Sequence, residues 1–254
     1  MRFAFLGSGS AGNALLVEQR GTRVLVDCGF GVAETRHRLE RLGIAPDTLT
    51  AIVVTHEHDD HVSGVGPCAR RFGVPVYLTS GTLRAVAHLL EGVEVRPIVG
   101  HARFCVGDLE IEPYPVPHDA REPAQYVLGD GQRRLGVITD AGAPTAHIVR
   151  TLSGVDALVL ECNHDIAMLA AGPYPAKLRA RVGGRFGHLE NSQAADLLGA
   201  IDRSRLQHLV AAHLSRKNNR PELAVAALVG VLGCSPDWIA VADQDTGLGW
   251  REVA

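Results

Sequence analysis

The 254-residue chain is poor in aromatic side chains, has only five scattered cysteines, carries little net charge and contains no long apolar run. Each shortage narrows the field. No apolar stretch approaches the ~20 residues that cross a bilayer, so no membrane span is expected. The opening Met1-Arg2-Phe3-Ala4-Phe5-Leu6-Gly7 lacks the long apolar core of a signal peptide. Cys28, Cys68, Cys105, Cys162 and Cys234 are odd in number, widely spaced and without a C-x-x-C pair, which predicts reduced thiols in a cytoplasmic protein. A formal net charge of −3 excludes attraction of a polyanion by whole-chain basicity, so any such partner has to meet a local patch. Aromatics at 5% leave little for stacking on bases. What is present, 46% hydrophobic and 21% charged residues, is the balance of a globular chain able to bury a large core, read as one domain over residues 1–254.

The most informative stretch is Thr55-His56-Glu57-His58-Asp59-Asp60-His61, directly after the apolar run Ala51-Ile52-Val53-Val54. That run predicts a buried strand delivering a loop. Three histidines and carboxylates packed so closely offer neutral imidazole nitrogens and hard oxygens together, a donor set suited to Zn(II), or to Mn(II) or Fe(II) where oxygens share the site. His56 and His58 are two apart, so in extended backbone both point the same way and Glu57 turns aside. Asp60 and His61 lie where the chain turns toward a helix and can serve a second position.

Strands are expected at 3–6, 15–18, 23–26, 51–54, 74–78, 109–116, 126–128, 135–139, 157–160, 208–212, 238–241 and 248–252, the one at 109–116 as an edge or irregular strand because of Pro113 and Pro115. Helices are expected at 31–42, 62–72, 80–90, from Pro144, from Asn191 or Ser192 as cap to about 201, and at 221–232. The stretch 173–187 reads as broken by proline and glycine. The glycine-rich Gly7–Asn13 loop reads equally as a flexible hairpin or as a wall of a site. Asp27, ending a strand, is a candidate acceptor for a histidine N–H. His37, His88 and His147 read as partly buried structural histidines. Alternation of strands and helices favours a layered α/β fold.

The strong candidates share one context, a polar residue at the end of an apolar strand: His56, His58, Asp60 and His61, then His118, Asp140 and His213. Strand ends on one edge of a layered sheet converge. In order and spacing this set resembles the metallo-β-lactamase superfamily. The resemblance implies an αββα four-layer sandwich, two mixed sheets face to face with helices outside. It implies two divalent metal ions, Zn or Mn: His56, His58 and His118 on one, Asp60, His61 and His213 on the other, and Asp140 bridging.

Ser8-Gly9-Ser10-Ala11-Gly12-Asn13, Thr139-Asp140-Ala141-Gly142, Glu161-Cys162-Asn163-His164-Asp165, Gly187-His188-Leu189-Glu190-Asn191 and His213-Leu214-Ser215-Arg216-Lys217-Asn218-Asn219 look like the bacterial YycJ/WalJ-type exonucleases. One departure is Glu190, where that family's pattern commonly has Ser; it adds negative charge near an expected phosphate site. The implied activity is 5′-to-3′ DNA exonucleolysis by a metal-bridging hydroxide, with Asp60 among the catalytic groups. By analogy with tRNA 3′-processing endonucleases, His188, oriented by Glu161, is the candidate general acid. Hydrolysis of a small ester, thioester or cyclic phosphate, or RNA processing, is the alternative. Between Lys177 and Arg220 nine basic side chains face three acidic ones, a segment able to track a phosphate backbone. A homodimer is left open, and no membrane partner is expected.

Overall fold

Strands that are apolar at nearly every position need cover on both faces, and the computed structural model, which describes residues 1–254, supplies it with four layers. The strands are Arg2–Gly7 (β1), Ala14–Gln19 (β2), Thr22–Val26 (β3), Ala51–Val53 (β4), Val76–Thr79 (β5), Val95–Ile98 (β6), Phe104–Val106 (β7), Leu109–Pro115 (β8), Ala124–Gly129 (β9), Arg134–Ile138 (β10), Ala157–Glu161 (β11), His208–Ala212 (β12), Ile239–Val241 (β13) and Leu248–Glu252 (β14). One sheet runs β14-β1-β2-β3-β4-β5-β6 and the other β13-β12-β11-β10-β9-β8-β7. Each is antiparallel in one half and parallel in the other, from β3 to β6 and from β10 to β13.

Alternation along the strands sorts the side chains into three apolar layers. Phe3, Phe5, Val17, Val24 and Val53 of one sheet meet Ile111, Tyr126, Leu128, Val137, Val159 and Val210 of the other between the sheets. The opposite faces carry Leu6, Leu16, Leu25 and Ile52 against helical Leu39, Val65, Cys68 and Val86, and Ile138, Leu158, Leu160 and Leu209 against helical Ile148, Leu152, Leu197 and Leu228. The result is the α/β sandwich expected from the sequence. No helix is long and apolar enough to cross a membrane.

Several local expectations are corrected. The helix expected over 62–72 is split into Asp59–Val62 and Val65–Phe72. The break comes at Gly64, whose N–H donates to the Cys28 carbonyl at 2.9 Å while a Cβ there would lie 1.8 Å from the Phe30 carbonyl oxygen. Strands β6 and β7 are additions. Both are short sheet edges, and β6 contains Pro97, so neither shows a clear two-residue period. Strand β8 lies inside its sheet, with β7 covering Leu109–Ile111 only. Pro113 and Pro115 fall in the half with no neighbour on that side, where a missing N–H costs nothing. Stretch 173–187 contains the helix Ala176–Val182, preceded by Ile166–Ala171. The cap of helix Asn191–Ala200 is Glu190, not Asn191 or Ser192.

Backbone-to-backbone packing beneath the 55–61 loop makes a sharp stability prediction. Gly64→Ala has to displace the Phe30 carbonyl, so denaturant unfolding is expected to show a loss of at least about 2 kcal/mol. Gly21→Ala, where a Cβ meets nothing within 4 Å and φ is not positive, is expected to stay within about 0.5 kcal/mol of the parent.

Candidate metal centre

The parallel halves of the two sheets bring their carboxyl ends to one edge. Asp27 follows β3, Thr55 and His56 follow β4, Asp140 follows β10, Glu161 ends β11 and His213 follows β12. Asp27, Asp140 and His213 have φ of 61°, 51° and 56°, and Arg20 is the one other non-glycine residue with positive φ. Left-handed backbone is uncommon for such residues and is retained where surroundings over-determine it. Here it turns the chain sharply just past the strand end, and all three side chains lie at the shared edge.

Two trios of donors meet there. His56 Nε2 lies 3.0 Å from His58 Nδ1, and His118 Nε2 lies 3.2 Å from the same atom. Asp60 Oδ2 lies 3.4 Å from His61 Nε2 and 3.3 Å from His213 Nε2. Asp140 sits between them, with Oδ2 3.2 Å from His61 Nε2 and Oδ1 4.0 Å from His118 Nε2. All seven metal-ligand candidates therefore gather at one place. In each trio the donor atoms lie within 4.8 Å of one another.

The far sides of four of the five rings, all but His58, explain why their nitrogens face inward. Asp27 Oδ2 accepts from His61 Nδ1 at 2.8 Å and from the Thr55 hydroxyl, which in turn accepts from His56 Nδ1 at 3.0 Å. The Gly187 carbonyl accepts from His118 Nδ1 at 3.0 Å, and Glu161 Oε1 from His213 Nδ1 at 3.1 Å. Acceptors behind the rings place the N–H outward and the lone pair inward. His56 Nε2 and His118 Nε2 both converge on His58 Nδ1, and a cation placed among the three nitrogens would accept a lone pair from each. Asp140 Oδ2 is buried with no hydrogen-bond donor. Neutral imidazoles and carboxylates aimed at one another in this way fit divalent metal ions.

Electrostatics point the same way. Burial works against ionised Asp140, yet the neighbouring His213 and His61 hold its carboxyl well below the usual range. Burial likewise opposes protonation of His213, but Asp140, Asp60 and Glu161 push it up to about 10. Asp60 is held below the normal carboxylate range by His61 and His213 against the same desolvation cost. These buried carboxylates demand positive charge, which protons or cations can meet.

Glu161 is fully buried and accepts four hydrogen bonds, from His188 Nδ1 at 2.8 Å, His213 Nδ1, and the Ala141 and Leu189 N–H groups. Despite burial, the charge of His188 and its hydrogen bond bring the Glu161 pKa down to about 2. In return, Glu161 outweighs desolvation and raises the pKa of His188. His188, His213, Asp60 and Asp140 line a cleft of about 350 Å³.

The Gly7–Asn13 loop is a wall of this site and is firmly tied. Asn13 Nδ2 donates to Asp60 Oδ2 at 3.2 Å, Ser8 Oγ accepts from the His213 N–H, and Gln244 pins Ala11 and Gly12. Glu57 does turn aside, accepting from the Arg121 N–H at 2.7 Å. His37, His88 and His147 are exposed, not partly buried, and lie outside the cluster. Glu190 is engaged at its helix cap, where Ser192 donates to it and its own N–H donates to Gln193. The basic segment is not one surface. Arg205 binds buried Asp156 and Arg203 the Leu198 carbonyl, before β12, while His213 lies after it. Not anticipated were Asp119, whose Oδ2 accepts from Arg181 Nε, and Phe186, 61% exposed between Arg185 and Gly187 despite the scarcity of aromatics. Asp119 beside His118 was the available signal for the first.

Comparison with known proteins gives concordant results. Residues 22–213 match a family model described as a beta-lactamase superfamily domain. The chain is 35% identical over 236 residues to the exodeoxyribonuclease YycJ of Bacillus anthracis, covering 91% of this chain and 89% of that one. It is 30% identical over 253 residues to the exodeoxyribonuclease WalJ of Streptococcus pneumoniae, covering 98% and 91%. The solved structure of the metallo-beta-lactamase fold protein YhfI from Bacillus subtilis superposes with a TM-score of 0.76 at 16% identity, over 98% of both chains.

Asp27 sits behind the donors and touches no inward-facing nitrogen. Asp27→Asn keeps a residue tolerant of left-handed backbone but loses an acceptor shared by Thr55 and His61. Chelator competition is expected to show a 10–100-fold weaker metal affinity.

Proposed function

The chain belongs to the metallo-β-lactamase superfamily, in the group of the YycJ and WalJ exodeoxyribonucleases, and from that membership and the site geometry we propose a metal-dependent DNA exonuclease acting from the 5′ end with two divalent ions, Zn or Mn. The observation that supports the two-ion reading is Asp140, which lies between the trios with its buried Oδ2 3.2 Å from His61 Nε2 and without a donor, and its Oδ1 4.0 Å from His118 Nε2. In this reading His56, His58 and His118 hold one ion, Asp60, His61 and His213 the other, and Asp140 both. The full 254 residues act as one domain, and the nucleic acid meets the protein through its phosphates. The odd number and wide spacing of its cysteines support a cytoplasmic location.

When bound, such ions make water nucleophilic near neutral pH and offset charge on phosphoryl oxygens. The remaining tasks fall to the chain's own groups. Asp60, anchored by Asn13, and Asp140, between the two trios, keep the donors of the cleft in place. His188 holds its proton above the ordinary imidazole range because Glu161 occupies Nδ1, which leaves Nε2 as the donor toward a departing alkoxide. Glu161, locked by the Ala141 and Leu189 N–H groups, keeps that ring from rotating.

Incubation with Mn(II) or Zn(II) and end-labelled duplex DNA is expected to release nucleotides from the 5′ end, and EDTA to abolish the release. His58→Ala should be inert. His188→Ala should keep its metal content, read by elemental analysis, while kcat falls roughly 10²–10⁴-fold. Hydrolysis of bis-p-nitrophenyl phosphate with no action on any polynucleotide would replace this reading with that of a small-diester hydrolase.

A further inference from the structure

Four of the residues lining the cleft are carboxylates: Asp59, Asp60, Asp119 and Asp140. Arg181 is the one arginine or lysine on that lining. It comes from the last turn of helix Ala176–Val182, and three tertiary contacts fix that turn over the cleft. The Val182 carbonyl accepts from the His188 N–H at 2.9 Å, and the Phe186 carbonyl from the Asp119 N–H at 3.0 Å. Gly187 passes so close beneath that a Cβ on it would stand 2.2 Å from the Arg181 carbonyl oxygen. The backbone carrying Arg181 is thus tied to the backbone carrying His188 and to the loop carrying His118.

The guanidinium is used in one particular way. Its Nε donates to Asp119 Oδ2 at 2.5 Å, whereas neither Nη group has a protein partner, and the side chain is 56% exposed. The other Asp119 oxygen looks toward His118 Nε2 at 3.5 Å and His58 Nε2 at 3.8 Å. Asp119 therefore sits between the donor trio and the arginine, presenting its fork outward at the rim. Two parallel Nη donors match two oxygens of a phosphate, a geometry that lysine cannot supply.

We propose that Arg181, oriented by Asp119, grips a phosphate of the polynucleotide next to the one being cleaved. This rests on the nuclease reading and gives it a substrate determinant: a chain of phosphates is bound, and an isolated phosphodiester is not helped. Arg181 is a binding residue here and Asp119 a positioning residue.

The test compares the metal-loaded parent with Arg181→Ala and Arg181→Lys on a short 5′-phosphorylated oligonucleotide and on bis-p-nitrophenyl phosphate, which has only the scissile diester. Arg181→Ala is expected to raise KM for the oligonucleotide 10–100-fold with kcat changed less than about threefold. The loss in kcat/KM on the chromogenic diester should be at least tenfold smaller. Anisotropy with a labelled phosphorothioate oligonucleotide gives a readout independent of turnover. Its slope of log affinity against log salt should shrink by about 0.7 in Arg181→Ala. Arg181→Lys should restore the slope but not the full affinity. Equal losses on both substrates, or an unchanged salt slope, overturn the clamp while the nuclease reading stands. If the parent hydrolyses the small diester but no oligonucleotide, the nuclease reading falls and the clamp with it.

Discussion

Burying ionised carboxylates is the constraint on which the rest of this structure turns. Asp27, Asp140 and Glu161 are all nearly or wholly inaccessible, and moving such groups out of water costs several kcal/mol each unless partners replace the lost hydration. The protein answers unevenly. Asp27 accepts from the Thr55 N–H, the Thr55 hydroxyl and His61, and Glu161 accepts from four donors. Asp140 alone keeps an oxygen with no donor. Two carboxylates are completed by protein and one is left for something else, and the incomplete one lies where the two trios meet. That asymmetry separates groups that hold the frame from the group that needs a cation.

The frame can be held this way because backbone lies on backbone around the site. A Cβ on Gly29 would come within 1.9 Å of the Asp60 carbonyl oxygen, and one on Gly142 within 2.3 Å of the Arg185 carbonyl oxygen. Neither glycine has a positive φ, so what selects glycine is proximity and not conformational freedom. Loops from both sheets are thus packed without side chains between them. The donors they deliver are set by main-chain contacts. The left-handed turns at Asp27, Asp140 and His213 complete the device, exchanging local backbone strain for side chains that all face one edge.

Legibility in the sequence followed the range of the determinants. The His56–His61 cluster could be read because its spacing is local and follows an apolar strand, and a layered α/β fold because strands and helices alternate, while the αββα arrangement came from the family resemblance. His118, Asp140 and His213 could be listed as strand-end residues, but that they share one edge is a property of strand direction. Edge strands β6 and β7 were invisible because they are short and one contains proline. Helix Ala176–Val182 was masked by flanking prolines and glycines. Arg203 and Arg205 looked like members of a basic track, yet β12 separates them from His213 by roughly 16 Å at the strand rise of about 3.3 Å per residue. Exposure of His37, His88 and His147 was equally hidden, since helical periodicity does not say how wide the buried stripe is.

That separation changes what can draw a polyanion to the site. With Arg205 committed to Asp156 at the opposite end of the sheet, the nine basic residues between Lys177 and Arg220 no longer act as a single field. At an ionic strength where fields decay over about 8–10 Å, charges beyond the strand contribute little at the cleft. What remains lies on two short stretches, around Ala176–Val182 and after His213. Only one of those cations reaches the cleft itself. The floor of the site carries histidines and carboxylates and no arginine or lysine, so attraction of phosphates beyond the one bound there has to come from its rim. The rim is therefore where this fold can exchange one substrate for another without disturbing the buried carboxylates beneath.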